Sequence, residues 1–227
     1  MSPYHFDLFG GAAGWDARCW TSSDDRVRGG KSQSYLECTS GQHTQVSAAI
    51  FRGNLDIKTL GGAGFASQRT TDDQGPWDLS RGDGILLKLL GGDGKKYTLT
   101  LKDQELPKRP DGREQSTVSW EYDFTHEKDH KAFVPWSAFK PTYRGKPKSD
   151  AEPLDLKSVR RVSIMMRSFF GEQQGPFRLE IESISVAEDP ALSKDDDARQ
   201  SIGQYSEKSG HVTPKKTWRN YLSCGLL

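Results

Sequence analysis

Apolar and polar residues alternate along much of this chain with a period of two, the spacing of strands whose two faces meet different surroundings. In Lys96 to Lys102, Tyr97, Leu99 and Leu101 share one face and Thr98 and Thr100 the other. Thr117 to Phe124 repeats the pattern, with Val118, Trp120, Tyr122 and Phe124 inward and Ser119, Glu121 and Asp123 outward. Gln45 to Asn54 sets Val46, Ala48 and Ile50 on one face, and Val162, Ile164 and Met166 alternate with Arg161, Ser163, Met165 and Arg167. Ile85 to Leu90 is nearly all apolar, as expected of a strand buried on both faces, and Gly91-Gly92-Asp93-Gly94 after it reads as a hairpin turn. Phe177, Leu179 and Ile181 are followed by Ile184 and Val186 out of phase by one residue, which predicts a bulge near Ser183. About nine strands, evenly spaced and without helical runs between them, predict an all-β fold, a β-sandwich or jelly roll.

Between the strands the pattern breaks. Residues 4–20 carry Phe6, Phe9, Trp15 and Trp20 among glycines and read as an irregular segment packed on the body. Asp72 to Asp83 is a turn-rich loop around Trp77, and Phe139 to Pro153 is a basic, proline-rich excursion. From residue 188 the chain turns polar, with an acidic run at Asp195 to Asp197. Domain boundaries at 1–187 and 188–227 follow, the second part being a linker and tail whose Trp218, Tyr221 and Leu222 have the spacing of one docking helical turn.

Composition narrows the function classes. A net charge of +1 argues against a general nucleic-acid surface, which carries a basic excess. The three cysteines, Cys19, Cys38 and Cys224, are odd in number and far apart, which disfavours a disulfide framework and favours a reducing, intracellular compartment. No lysine or arginine precedes Arg18, while Asp7 and Asp16 do, a pattern unlike a secretory signal or a mitochondrial presequence.

The densest candidate site is the stretch Trp20 to Ser34, where Asp24, Asp25, Arg26, Arg28, Lys31 and Ser32 surround Gly29-Gly30. Two readings stand side by side: carboxylates and hydroxyl that fasten their own loop backbone, or a rim that grips a partner or ligand. Gly29-Gly30-Lys31-Ser32 imitates the end of a phosphate-binding loop, but the first glycine of that motif falls at Asp25 and a strand follows where a helix is required. His126-Glu127-Lys128-Asp129-His130 spells H-E-x-x-H, yet it lies between strands without an apolar helical face and reads as an exposed hairpin loop. Asp83 and Asp93 are a weak calcium pair, and Arg81-Gly82-Asp83 reads as a turn. No nucleophile with a base stands out, so the pattern calls for no catalytic residue, cofactor or metal. Trp77, Trp136, Tyr143 and Arg144 sit in loops or at strand ends; they either plug the ends of the fold or form a sugar site, rings for stacking and a guanidinium for a uronic-acid carboxylate. The chain ends Cys224-Gly225-Leu226-Leu227, a C-a-a-X pattern with Lys215, Lys216 and Arg219 upstream, so membrane contact is expected only through a prenylated Cys224.

A run of motifs in order carries a family resemblance. They are W-T-S-S-D-D-R-V-R-G-G-K-S, A-A-I-F-R-G-N-L, G-G-A-G-F-A-S-Q-R, W-D-L-S-R-G-D-G-I-L-L, G-D-G-K-K-Y-T-L-T-L, V-P-W-S-A-F-K-P-T-Y-R-G and G-P-F-R-L-E-I-E-S-I, spanning residues 9–187. The chain resembles the CIA30 family, named for complex I intermediate-associated protein 30. The resemblance implies a galactose-binding-like jelly roll and a non-catalytic assembly factor or chaperone-like scaffold. It also implies a protein partner, an assembly intermediate of mitochondrial respiratory complex I or subunits of another complex. Its mitochondrial setting contrasts with the N-terminal composition, which leaves a cytoplasmic one open. The alternative function is a carbohydrate-binding module for an acidic polysaccharide, prompted by the same architecture.

Overall fold

A computed structural model of the chain describes residues 3–39, 47–126 and 130–191. Met1–Asp189 is one compact unit; of the second, Pro190–Leu227, only residues 190 and 191 are described. The first unit is all-β. Its strands, in chain order, are β1 (His5–Gly10), β2 (Trp20–Ser22), β3 (Gln33–Thr39), β4 (Ala48–Leu55), β5 (Phe65–Thr70), β6 (Gly84–Gly92) and β7 (Lys96–Lys102). There follow β8 (Ser119–Thr125), β9 (Lys131–Pro135), β10 (Lys140–Tyr143), β11 (Lys146–Pro147), β12 (Arg161–Arg167) and β13 (Gly175–Ala187).

Two antiparallel sheets result, a jelly-roll β-sandwich. One runs β3-β4-β13-β6-β9, with β1 also on β13; the other runs β11-β10-β8-β7-β12-β5-β2. β13 spans 13 residues, long enough to pair with β4 along its first half and with β1 along its second. The segment read as irregular is therefore partly a strand: a short, glycine-flanked run gives too little alternation to be recognised without its partner. The bulge expected near Ser183 is present, because Ile181 pairs with Leu89 and Ser183 with Lys88, leaving Glu182 unopposed. The freed Glu182 carbonyl accepts a 2.8 Å hydrogen bond from Trp15 Nε1, and Gly10 lies so close to that carbonyl that a Cβ would collide with it.

The core lies between the sheets. Phe51, Leu55, Ile85, Leu87, Leu179 and Ile181 from the first meet Tyr97, Leu99, Leu101, Val162, Ile164 and Met166 from the second, all at most 2 % exposed. In β4 the inward face is Ala49, Phe51 and Leu55, not the Ala48 and Ile50 face expected; Ile50 is half-buried and Val46 falls outside the described residues. The inward face includes Gly53, which makes room for the Phe177 ring and hides the periodicity from a pattern search.

Two turns change character. β6 and β7 pair with different neighbours in different sheets, so Gly91–Gly94 is a crossover between layers and not a hairpin. The same holds for the segment joining β8 to β9, which contains His126 and His130. Gly94 adopts a positive φ of 76° there, and a turn of this chemistry serves either path.

Candidate functional site

The Trp20–Ser34 stretch is built around its two adjacent carboxylates, and both point into the protein. Asp25 is fully buried and accepts hydrogen bonds from Ser32 N (3.0 Å), Ser32 Oγ (2.7 Å) and Phe65 N (3.2 Å). Asp24 accepts from Ser34 Oγ (2.6 Å), Ser34 N (3.2 Å) and Ser67 N (3.0 Å). Asp24 precedes, and Asp25 begins, a short 3-10 turn over Asp25–Arg28 that ends at Gly29, whose φ of 83° suits only glycine well. Together the carboxylates pin the start of β3 to the start of β5, in different sheets. Asp24, Asp25 and Ser32 thus have their bonding capacity occupied from within, whereas Arg26, Arg28 and Lys31 are exposed. Arg28 lies over the Phe65 ring at 5.5 Å, and Arg26 reaches Asp24 at 3.5 Å.

The loop aromatics occupy three different surroundings. Trp77 is half-buried, edge-on to Phe9 at 5.9 Å, with its backbone bridged to Val159. Trp136 is half-buried against Phe139, and its Nε1 donates to Gly82 O at 2.7 Å. Tyr143 is exposed, with the Arg144 guanidinium 5.3 Å from its ring; Arg144 Nε donates to Ser116 Oγ. Asp83 and Asp93 sit just before β6 and just after it, so they cannot share an ion. Asp93 is taken by Tyr97 OH, Lys95 N and Arg178 N, and Asp83 accepts from Asp189 N. The His126 and His130 rings lie 5.5 Å apart, while Glu127, Lys128 and Asp129, like Cys224, fall outside the described residues.

The outer face of the β7–β12 sheet carries the polar network that sequence reading missed. Thr98, Thr100, Ser163 and Glu121, expected to face solvent, are buried. Ion-paired side chains lie over them. Arg161 contacts Glu114 (2.7 Å), Glu105 (2.6 Å) and Asp72 (3.2 Å), and Arg69 contacts the same Glu114 and Asp72 (2.6 and 2.9 Å). Arg167 bridges Glu121 and Asp123, each at 2.7 Å. A cavity of about 220 Å³ opens beside Arg161, lined among others by Lys102, Glu105, Glu114 and Thr117. Burial alone would raise Glu114, yet the hydrogen bond and charge of Arg161 bring its carboxyl below the ordinary range. Burial pushes the Lys102 ammonium down, and the nearby Arg161 charge adds to this. The sequence signal for this network was an arginine at each end of the Arg161, Ser163, Met165, Arg167 face of β12, far in the chain from its carboxylate partners.

Among the described residues, the charged groups of the outer face are paired with one another. The network's carboxylates are engaged by guanidinium groups, and Cys19 and Cys38 are free thiols that burial shifts upward, away from the reactive thiolate. Among the described residues no helix is long and apolar enough to cross a membrane.

In fold, the sandwich is similar to two solved structures of a family 11 carbohydrate-binding module from Clostridium thermocellum. One, in complex with a β-1,3-1,4-mixed-linked tetrasaccharide, is 14% identical with a TM-score of 0.52, over 80% of this chain and 94% of that one. The other, from the cellulosomal cellulase Lic26A-Cel5E, is 15% identical with a TM-score of 0.54, over 83% and 98%. In sequence, the chain is 42% identical over 180 residues to an uncharacterized protein of Schizosaccharomyces pombe, covering 78% of this chain and 81% of that protein. Residues 9–181, from the end of β1 through the first half of β13, match the family described as complex I intermediate-associated protein 30. With nearly the whole sandwich inside that match, the chain belongs to the CIA30 family.

Proposed function

We propose that this chain is a non-catalytic binding protein, an assembly factor or chaperone-like scaffold for mitochondrial respiratory complex I or another multisubunit complex. The observation that carries the reading is the family match across residues 9–181, which takes in nearly the whole frame on which any binding surface would sit. The arrangement of side chains supports it. Glu114 and Glu121 are paired with guanidinium groups and Asp25 accepts from backbone donors, while the exposed part of the Trp20–Ser34 stretch includes the cations Arg26, Arg28 and Lys31. The alternative, a uronic-acid site, needs rings free for stacking. Trp77 and Trp136 are instead spent on contacts within the fold, and Tyr143 with Arg144 is what that reading retains.

The test is affinity purification of the tagged full chain from its native cells, read by mass spectrometry, beside deletion of its gene. Subunits of an incompletely assembled complex are expected in the eluate, with a fall in the mature complex on deletion. Unchanged levels of respiratory complexes after deletion, with no subunit recovered, would refute it. A glycan array that retained the chain on acidic polysaccharides, with binding lost in Arg144→Ala, would favour the alternative.

A further inference from the structure

The loop between β12 and β13 holds a side chain that no folding requirement explains. Phe169 and Phe170 both adopt left-handed backbone conformations, with φ of 46° and 61°, which bulky residues rarely enter. The turn is firmly held: Gly171 N donates to Ser168 O at 3.0 Å, and Ser168 N donates to Gly64 O at 3.0 Å. The Gln173 side chain bonds Lys96 N, Lys96 O and Arg167 O, which ties the turn to β7 and β12. Phe169 is clamped between two cations, Lys96 Nζ at 4.5 Å and the Arg167 guanidinium at 4.6 Å from its ring. The next ring, Phe170, is 97% exposed. A strained backbone kept in place by this many contacts, and used to hold a phenyl ring in water, points to a function of the ring.

Its surroundings say which kind of surface it meets. β5 and β12 pair Phe65 with Arg167, and Arg28 covers Phe65, so the turn at Asp25–Arg28 stands at the same end of the sandwich as Phe170. That turn holds up Val27, 73% exposed, between Arg26 and Arg28. Lys31, Lys58, Lys95 and Lys96 belong to the same cluster of loop ends. Of the described carboxylates there, Asp24 and Asp25 are buried, Asp93 is turned onto Lys95, Tyr97 and the Arg178 amide, and Glu121 and Asp123 are held by Arg167, leaving Asp56 and Glu172, the latter 4.0 Å from Lys96. A protein interface would want a continuous apolar patch around its anchor. Here single exposed apolar side chains, Phe170 and Val27, stand among the cations of these loop ends, an arrangement suited to a ring among acyl chains with ammonium and guanidinium groups near lipid phosphates.

We propose that this end of the sandwich docks on an anionic lipid surface, with Phe170 and Val27 entering the acyl boundary and Arg26, Arg28, Lys31 and Lys96 meeting the headgroups. The site is independent of the binding role proposed above and of any modification of Cys224. Co-sedimentation of the full chain with phosphatidylcholine vesicles, with and without added phosphatidylserine, tests it. The chain should pellet with the anionic vesicles and release as salt is raised. Phe170→Gly should weaken partitioning roughly tenfold or more, the loss expected for one buried phenyl ring. Its thermal midpoint should hold or rise, since glycine accepts the left-handed backbone. Arg28→Gln with Lys31→Gln should flatten the salt dependence, and Leu106→Ser, an exposed apolar change elsewhere, should bind as wild type. The assignment is overturned if the chain stays in the supernatant, if neutral and anionic vesicles bind it equally, or if Phe170→Gly binds undiminished. Loss of a protein partner by Phe170→Gly without any vesicle binding would move the tip to a protein interface and equally overturn it.

Discussion

Replacing Asp25 by alanine separates a structural carboxylate from a ligand-binding one. The side chain is inaccessible and accepts three hydrogen bonds, two of them from the backbone amides of Ser32 and Phe65. Ser32 Oγ keeps a second acceptor in Asp56 O at 3.2 Å, so its loss is softened. The two amides have no such substitute among the described bonds. Each buried donor left unsatisfied costs about 1–3 kcal/mol, which sums to about 2–6 kcal/mol before any water enters the hole. Relief from burying a charge offsets part of this, so about 2–4 kcal/mol is the expected loss, a large share of a typical domain's stability. Urea unfolding followed by far-ultraviolet circular dichroism gives the number from the shift in midpoint at unchanged slope. Arg26→Ala, one turn position along and exposed, should change stability by less than about 0.5 kcal/mol. Gly30→Ala should behave like Asp25→Ala, since its Cβ would run into the Asp25 carboxylate. If Asp25→Ala cost less than about 1 kcal/mol, water or rearrangement would be satisfying those amides, and the keystone role would be wrong.

Three further outcomes follow from the outer-face network and the loop rings. Arg161→Ala should destabilise by about 1–3 kcal/mol in the same urea assay, below the figure for a wholly buried pair because Glu114 and Asp72 keep partial access to water. Acid should weaken the fold. Glu114 and Asp72 sit below their ordinary values, burial opposing the shift and Arg161 and Arg69 producing it. Their contribution is therefore complete above the unfolded-state range near about pH 4 and drains away as pH falls through it toward the folded values. Urea midpoints that stay flat from neutral pH down to about pH 3 would contradict this. Trp136→Phe should cost about 1 kcal/mol through the lost bond to Gly82 O, measured by thermal unfolding, and leave the tertiary circular dichroism of the core aromatics in place.

Strand by strand, the sequence by itself determined the secondary structure and the class of fold wherever one face of a strand is apolar and the other is not. β7, β12 and β13, bulge included, were legible because a period of two is a local property of side chains on a pleat. Which strands pair was not local. Gly91–Gly94 carries the same turn chemistry whether the chain doubles back or crosses to the facing sheet, and β1 became a strand only because β13 was long enough to offer it an edge. The fate of the charges was decided later still. Asp24 and Asp25 look like a binding pair in one dimension, yet donors from Ser34, Ser67 and Phe65, up to 43 residues away, turn them inward. Arg161, Glu114 and Asp72 look like unrelated surface charges until the sheet brings them together, 47 and 89 residues apart in the chain. Electrostatic partners are set by distance in space, and only the closed sandwich fixes that distance.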